Sequence, residues 1–141
     1  MALTYHPPRA SVVKVNYDKG FVPPEMVKPR LAVVISKPIK QRHGLCTVVP
    51  LSMTAPPQVM PFHCELAIPF KLPTYWGQSS RWVKGDMICA VSWNRVDLLS
   101  LGKDDSGRRI YQTKTLDDAD FDKVLRCVLH GLGMSTLTKN L

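Results

Sequence analysis

The sequence predicts a mainly β fold closed by one C-terminal α-helix, with the strands gathered in a small, strongly bent, barrel-like antiparallel sheet. Three observations carry this. Short β-branched or apolar runs recur from residue 11 to residue 112, each cut off by Gly, Pro or polar clusters, which suits many short strands. A sustained helical period appears only near the C-terminus. The 141 residues suffice for one domain with a sizeable buried core.

Residues 1–10, with His6, Pro7, Pro8 and Arg9, read as an irregular arm, and residues 11–133 as the single domain. Ser11–Tyr17 is β-branched with partial alternation and is the first expected strand. From Asp18 to Pro29, the residues Gly20, Pro23, Pro24 and Pro29 exclude a central strand or helix interior, because proline lacks the N–H that either needs. A loop of about a dozen residues points to a role beyond connection. Arg30–Ser36 and Leu45–Leu51 follow as a hairpin in the core of the sheet, joined by a basic connection with Lys37, Lys40, Arg42 and Gly44. Ser52–Pro61 reads as a loop, His63–Ile68 as an alternating strand, and Pro69–Arg81 as a second loop with Tyr75, Trp76 and Trp82 close together. Met87–Ser92 is an apolar strand that Val96–Leu101 extends or pairs with; Gly102–Gly107 turns, and Arg109–Gln112 is a short strand.

In the last segment Phe121, Val124, Leu125, Val128, Leu129 and Leu132 recur at helical spacing. Asp117, Asp118 and Asp120 crowd its start, where the helix dipole favours negative charge. An amphipathic helix packed on the sheet is expected, with residues 134–141 a frayed tail.

The formal net charge of +8 favours an anionic partner, and its distribution is uneven. Residues 1–45 carry eight Lys/Arg against two acidic residues, and residues 46–141 eleven against nine, so the excess lies around the Arg30 strand. A solvated basic face with no ligand is the plain alternative. Cys46, Cys64, Cys89 and Cys127 lie far apart with no ligand spacing, so no metal site is expected, and Cys46 and Cys89 read as buried thiols within apolar strands. No secretory segment opens the chain and no apolar run approaches the ~20 residues of a membrane span. A soluble, cytoplasmic protein with free thiols is the expectation.

Two segments stand out chemically. In Lys28-Pro29-Arg30-Leu31-Ala32-Val33-Val34 an arginine enters a strand, and in Val48-Val49-Pro50-Leu51-Ser52 a hydroxyl leaves one. A guanidinium and a hydroxyl at adjacent strand ends suit a phosphodiester, because guanidinium matches phosphate geometry and stays charged. Surface pairing for Arg30 and turn chemistry for Ser52 are the structural alternatives.

In order along residues 8–132, these segments resemble the MazF/PemK family of toxin–antitoxin ribonucleases. The correspondence runs from the Val12–Tyr17 strand and the Pro/Gly loop through Arg30-Leu31-Ala32-Val33-Val34 and Val49-Pro50-Leu51-Ser52 to Asp86-Met87-Ile88-Cys89-Ala90-Val91-Ser92-Trp93 and the terminal helix. The resemblance implies a small SH3-like plug barrel working as a homodimer. It further implies a metal-independent, cofactor-free endoribonuclease that cuts single-stranded RNA to 2′,3′-cyclic phosphate and 5′-hydroxyl ends and is restrained by a cognate antitoxin. Arg30 matches the family's phosphate-binding arginine, Ser52 its catalytic threonine, Glu25 an acidic residue of the mobile loop, and Asp86 the acid that opens the later strand. The chain departs from the family at Leu31, Met87 and Cys89; the last stands where some members carry a second basic catalytic residue. Lys28, Arg81, Lys84 or Arg95 then remain as sources of a second cation.

The expected catalytic set is therefore Arg30, Ser52 and Glu25, with Lys28, His63, Trp76, Arg81, Lys84 and Asp86 contacting RNA. Glu25 and His63 are both candidate proton acceptors. Trp76 in the Pro/Gly loop is the expected stacking contact and Trp93 a packing residue. A non-catalytic binding module on the same barrel, either a protein inhibitor or a basic nucleic-acid-binding protein, is the competing reading.

Overall fold

A computed structural model describes residues 3–141. Nine strands and one α-helix follow in the order β1 (Val12–Val15), β2 (Arg30–Val34), β3 (Leu45–Ser52), β4 (His63–Ala67), β5 (Ser80–Lys84), β6 (Cys89–Ser92), β7 (Val96–Asp97), β8 (Ser100–Lys103), β9 (Arg109–Tyr111) and α1 (Asp118–Gly131). Seven strands form one antiparallel sheet in the order β4-β5-β3-β2-β1-β7, with β6 also paired to β3, while β8 and β9 make a separate hairpin. The long β3 is the corner of the sheet. Its first half pairs with β6 through Leu45–Val48 and its end with β5 through Leu51 and Ser52, so the sheet bends sharply along one strand.

The central strands read as continuous apolar runs because both of their faces are covered. Val12, Leu31, Val33, Val49 and Leu51 pack with Phe121, Val124, Cys127 and Val128 of α1. The alternate positions, Val13, Val15, Ala32, Val34, Cys46 and Val48, pack in a second cluster with Tyr17, Val91 and Val96. Helix α1 starts at an Asp117 cap, whose carboxylate accepts the Asp120 N–H at 2.8 Å. It then crosses so close to the Gly85–Met87 turn that a side chain fits at neither crossing glycine. A Cβ on Gly85 would stand 2.7 Å from the Cys127 Cβ, and one on Gly131 would stand 2.8 Å from the Asp86 Cα.

The β2–β3 hairpin, the loop from Asp18 to Pro29 and the terminal helix stand as expected. Strand β5 is the main correction, because the expected loop runs through Ser80 and Arg81 and no element is expected over residues 82–84. Its pattern alternates, but one inward position is Arg81, so Arg81 and Val83 point inward where two apolar residues would have revealed a strand. Val96–Leu101 divides: Val96 and Asp97 pair with β1, and Ser100–Lys103 pairs with β9. The expected frayed tail instead coils into a 3-10 turn, Ser135–Asn140, tied to α1 by Arg126 donating to the Leu141 carbonyl at 3.2 Å. Cys46 is buried as expected, whereas Cys89 is only half-buried because it faces a cleft.

Candidate functional site

The hairpin pairs Ala32 with Pro50, Val33 with Val49 and Val34 with Val48. The pairing ends at Ala32 and Pro50; Arg30 and Ser52 each lie two residues beyond it on their strands and so, by strand alternation, fall on the same face as that pair. Both belong to the face of Ala32, Val34 and Val48, which is turned away from α1. The Ser52 side chain is held at the strand end by the Thr54 N–H, which donates to its Oγ at 3.1 Å and leaves the hydroxyl proton available to donate. The Arg30 Nε is buried and has no hydrogen-bond partner.

The same face continues outward across the bend. Ser52 pairs with Trp82, Trp82 with Glu65, and Lys84 with His63, so a half-buried indole, an ammonium and an imidazole extend the Arg30–Ser52 edge. Their strand neighbours Leu51, Leu66 and Val83 point the other way, into the core beneath α1. His63 lies two strands from Ser52 and two residues along, about 12 Å at ordinary strand spacing. Its Nδ1 accepts the Met60 N–H at 3.1 Å, and burial, with Lys84 opposite, lowers its pKa. A neutral ring with Nδ1 so engaged carries its proton on Nε2. The ring also shares a hydrogen bond with the Gln58 backbone, which partly offsets the lowering of its pKa.

Two of the expected RNA contacts lie elsewhere. Arg81 is only 2% exposed, and its guanidinium donates to the carbonyls of Trp76, Gln78 and Ser80, the last at 3.0 Å. It fastens the 74–80 loop to β5, and burial lowers its pKa. Trp76 packs against the core beside Leu72 and lines a different cavity, with Lys14, Leu99 and Tyr111. The exposed aromatic of that loop is Tyr75, 87% accessible and edge-on to Trp76 at 5.3 Å. Of the clustered aromatics Trp76 is the expected stacking contact, but it is Trp82 that stands beside Ser52. It was hidden because β5 was not recognised, and a strand register alone would have placed it beside Ser52.

Glu25 and Asp86 come from separate segments to line one cleft, and the Glu25 carboxylate accepts the Val22 N–H of its own loop at 3.3 Å. The β1–β2 loop folds back over the Arg30 face, and Phe21, Glu25 and Met26 meet Asp86, Ile88 and Cys89 there, above Tyr17. Arg95, a candidate second cation, is committed to this loop. It lies over Phe21 and donates to the Asn16 carbonyl at 3.1 Å. Lys28 is exposed at the loop's end, and Lys84 is half-buried on the Ser52 face. Burial raises the Cys89 pKa, with the Glu25 carboxylate adding to it, so a protonated thiol occupies this wall.

Among the described residues no three of His, Cys, Asp and Glu are grouped to hold a metal ion, and no helix is long and apolar enough to cross a membrane.

Comparison with known proteins places the arrangement. A family model described as the PemK-like, MazF-like toxin of type II toxin–antitoxin systems matches residues 8–132. The Escherichia coli (strain K12) protein YifN is 37% identical over 85 residues, which cover 58% of this chain and about half, 56%, of that relative. The crystal structure of MazF from Deinococcus radiodurans superposes with a TM-score of 0.60 at 23% identity, over 92% of this chain and 99% of that one. An endoribonuclease from a mycobacterial species, solved in complex with its cognate antitoxin, superposes with a TM-score of 0.57 at 16% identity, over 92% of this chain and 97% of that one. The solved structures share this chain's fold, and the family model spans most of its length. The chain belongs to the PemK-like, MazF-like toxins of type II toxin–antitoxin systems.

Proposed function

We propose that the chain is a metal-independent endoribonuclease that cuts single-stranded RNA at the Arg30–Ser52 edge, leaving 2′,3′-cyclic phosphate and 5′-hydroxyl ends. The observation that carries this reading is the hairpin register, which brings a guanidinium and a hydroxyl to one end of one face. RNA brings its own nucleophile, the 2′-hydroxyl. The protein must accept that proton and stabilise the charge that builds on phosphorus, and the leaving 5′-oxygen must take up a proton from the newly protonated acceptor or from water. Arg30 is the electrostatic group. Its position is set by β2, so it meets the developing dianion without rearrangement, the kind of preorganised stabilisation that dominates catalysis. Ser52 donates a second hydrogen bond to the same phosphate. Glu25, on the loop that folds over this face, is the proton acceptor; His63 stands too far from Ser52 and carries its proton on the outer nitrogen.

Trp82, Lys84 and His63 continue the face and suit a strand threaded across it, with a base on the indole and phosphates on the cations. Lys28 contributes at the loop's end. The positive balance of the chain also favours an acidic inhibitor segment that orders as it binds, and an antitoxin of that kind is the proposed partner, with a homodimer as the working form.

The test is cleavage of a long single-stranded RNA in EDTA, with the wild type beside Arg30→Ala. Discrete cuts with 5′-hydroxyl ends that vanish in the variant support the reading. A folded protein, free of antitoxin, that cuts no RNA would instead be a binding module.

A further inference from the structure

We propose that the cleft between the β1–β2 loop and the Asp86–Cys89 segment is a guanine pocket that seats the base immediately 5′ to the cut, an inference resting on the ribonuclease reading above. The cleft has a volume of about 550 Å³, within the range of sites for small ligands. Phe21, Met26 and Ile88 give it apolar walls for the faces of a ring, and Glu25 and Asp86 bring carboxylates, while no Lys or Arg lines it.

Tyr17 supplies the independent observation. The residue is 1% exposed and lines the cleft, yet its hydroxyl is buried without a hydrogen-bond partner. Its ring is positioned edge-on against Phe21 at 5.2 Å, and burial keeps the phenol protonated. An orphaned buried hydroxyl is costly, so a ligand that satisfies it explains why a phenylalanine does not stand there.

Carboxylates and a neutral hydroxyl require an edge of N–H donors next to an acceptor. Guanine presents N1–H and N2–H side by side for the Asp86 carboxylate, with O6 adjacent for the Tyr17 hydroxyl. Adenine and cytosine set a single amino group beside an unprotonated ring nitrogen, which a carboxylate repels. Uracil has one N–H between two carbonyls. Glu25 fixes which nucleotide is held: the carboxylate that takes the 2′-hydroxyl proton also lines the pocket, so ribose and base belong to the same residue, the one 5′ of the cut.

Calorimetric titration of the full-length protein with GMP, IMP and AMP tests the pocket apart from cleavage, because IMP differs from GMP only in lacking the 2-amino group. GMP is expected to bind about tenfold or more tightly than either, the usual loss when a hydrogen bond to a charged group goes unmade. Asp86→Asn is expected to bring GMP down to the level of IMP, whereas Tyr17→Phe, which removes the O6 partner that both share, is expected to weaken GMP and IMP alike and to unfold at an equal or higher temperature than wild type. Equal binding of the three nucleotides overturns the pocket, as does a preference of GMP over IMP that survives Asp86→Asn, or a GMP affinity that Tyr17→Phe leaves unchanged. Displacement of GMP by methylguanidine at lower concentration than by IMP also overturns it and assigns the cleft to an arginine of a protein partner. Mapped cuts without guanine on their 5′ side overturn it too. A protein that cuts no RNA fails the ribonuclease reading instead, and the titration then decides the pocket by itself.

Discussion

Arg95 lies over the ring of Phe21, 4.8 Å from its centroid, and donates to the Asn16 carbonyl, so a residue just before β7 pins the β1–β2 loop at its root. A cation–π contact of this half-buried kind contributes about 1 kcal/mol. Arg95→Ala is therefore expected to lower stability by about 1–2 kcal/mol, counting the lost hydrogen bond, and to raise KM for RNA more than it lowers kcat. Urea denaturation reads the first effect and steady-state cleavage the second. Faster amide exchange confined to residues 18–26 would identify the loop as the part released.

Arg30→Ala is expected to reduce cleavage at least about 100-fold, as loss of a preorganised charge at the reacting phosphate does. The fold should hold, because no hydrogen bond of the Arg30 Nε is lost. Arg30→Lys keeps the charge but not the planar fork and should restore only a small part of the rate. Circular dichroism melting beside single-turnover cleavage separates chemistry from folding.

Ser52→Ala removes both the hydroxyl offered to phosphate and the acceptor of the Thr54 N–H. Stability should fall by about 1 kcal/mol and cleavage about tenfold or more. Ser52→Thr keeps the hydroxyl and narrows its rotamers, so it should retain activity far better than the alanine variant.

Gly131→Ala places a methyl 2.8 Å from the Asp86 Cα, where backbone rather than a flexible side chain must give way. A destabilisation of about 1–3 kcal/mol is expected, the usual effect of overpacking. Because the displaced backbone is that of Asp86, guanine binding should weaken in this variant even where it remains folded. Denaturation midpoints and GMP titration on the same preparation measure both.

Burial raises the Cys46 thiol from 9.0 to about 11. The folded state therefore holds a proton that the unfolded chain gives up, and the associated stability is full below about pH 9 and lost as pH rises toward 11. Burial likewise raises Tyr17, and Cys127 is raised first by its hydrogen bond with Cys64 and then by burial, so all three act in the same direction. Cys46→Ala should flatten the upper part of the alkaline stability curve. Cys64, lowered by its hydrogen bond with Cys127 and partly accessible, should be alkylated before Cys46 or Cys127.

The hairpin, the long Pro/Gly loop and the helix were legible because local chemistry determines them: β-branched runs, prolines that cannot join a ladder, and a capped 3.6-residue period. Arg30 and Ser52 were legible for the same reason, since both mark the polar ends of apolar strands. Trp82 and Arg81 were misread together. A buried arginine satisfied by three carbonyls looks, in sequence, like a surface cation, and only the tertiary position of the 74–80 loop reveals otherwise. Tyr17 was invisible as a functional group, because a tyrosine ending a strand is ordinary until its hydroxyl is seen to lack a partner.

Arg30 and Ser52 sit on strands of a single hairpin buried on both faces, whereas Phe21, Glu25 and Asp86 belong to a loop and a turn. In the proposed reading the hairpin grips the phosphate and the loop and turn hold the base, with Glu25 belonging to both tasks. The hairpin tolerates little change, while the loop can diverge in length and content without disturbing it. Transplanting residues 18–29 from a related toxin would therefore replace the Glu25 position together with the Phe21 and Met26 walls, so the recipient keeps its chemistry only where the incoming loop also presents a carboxylate there.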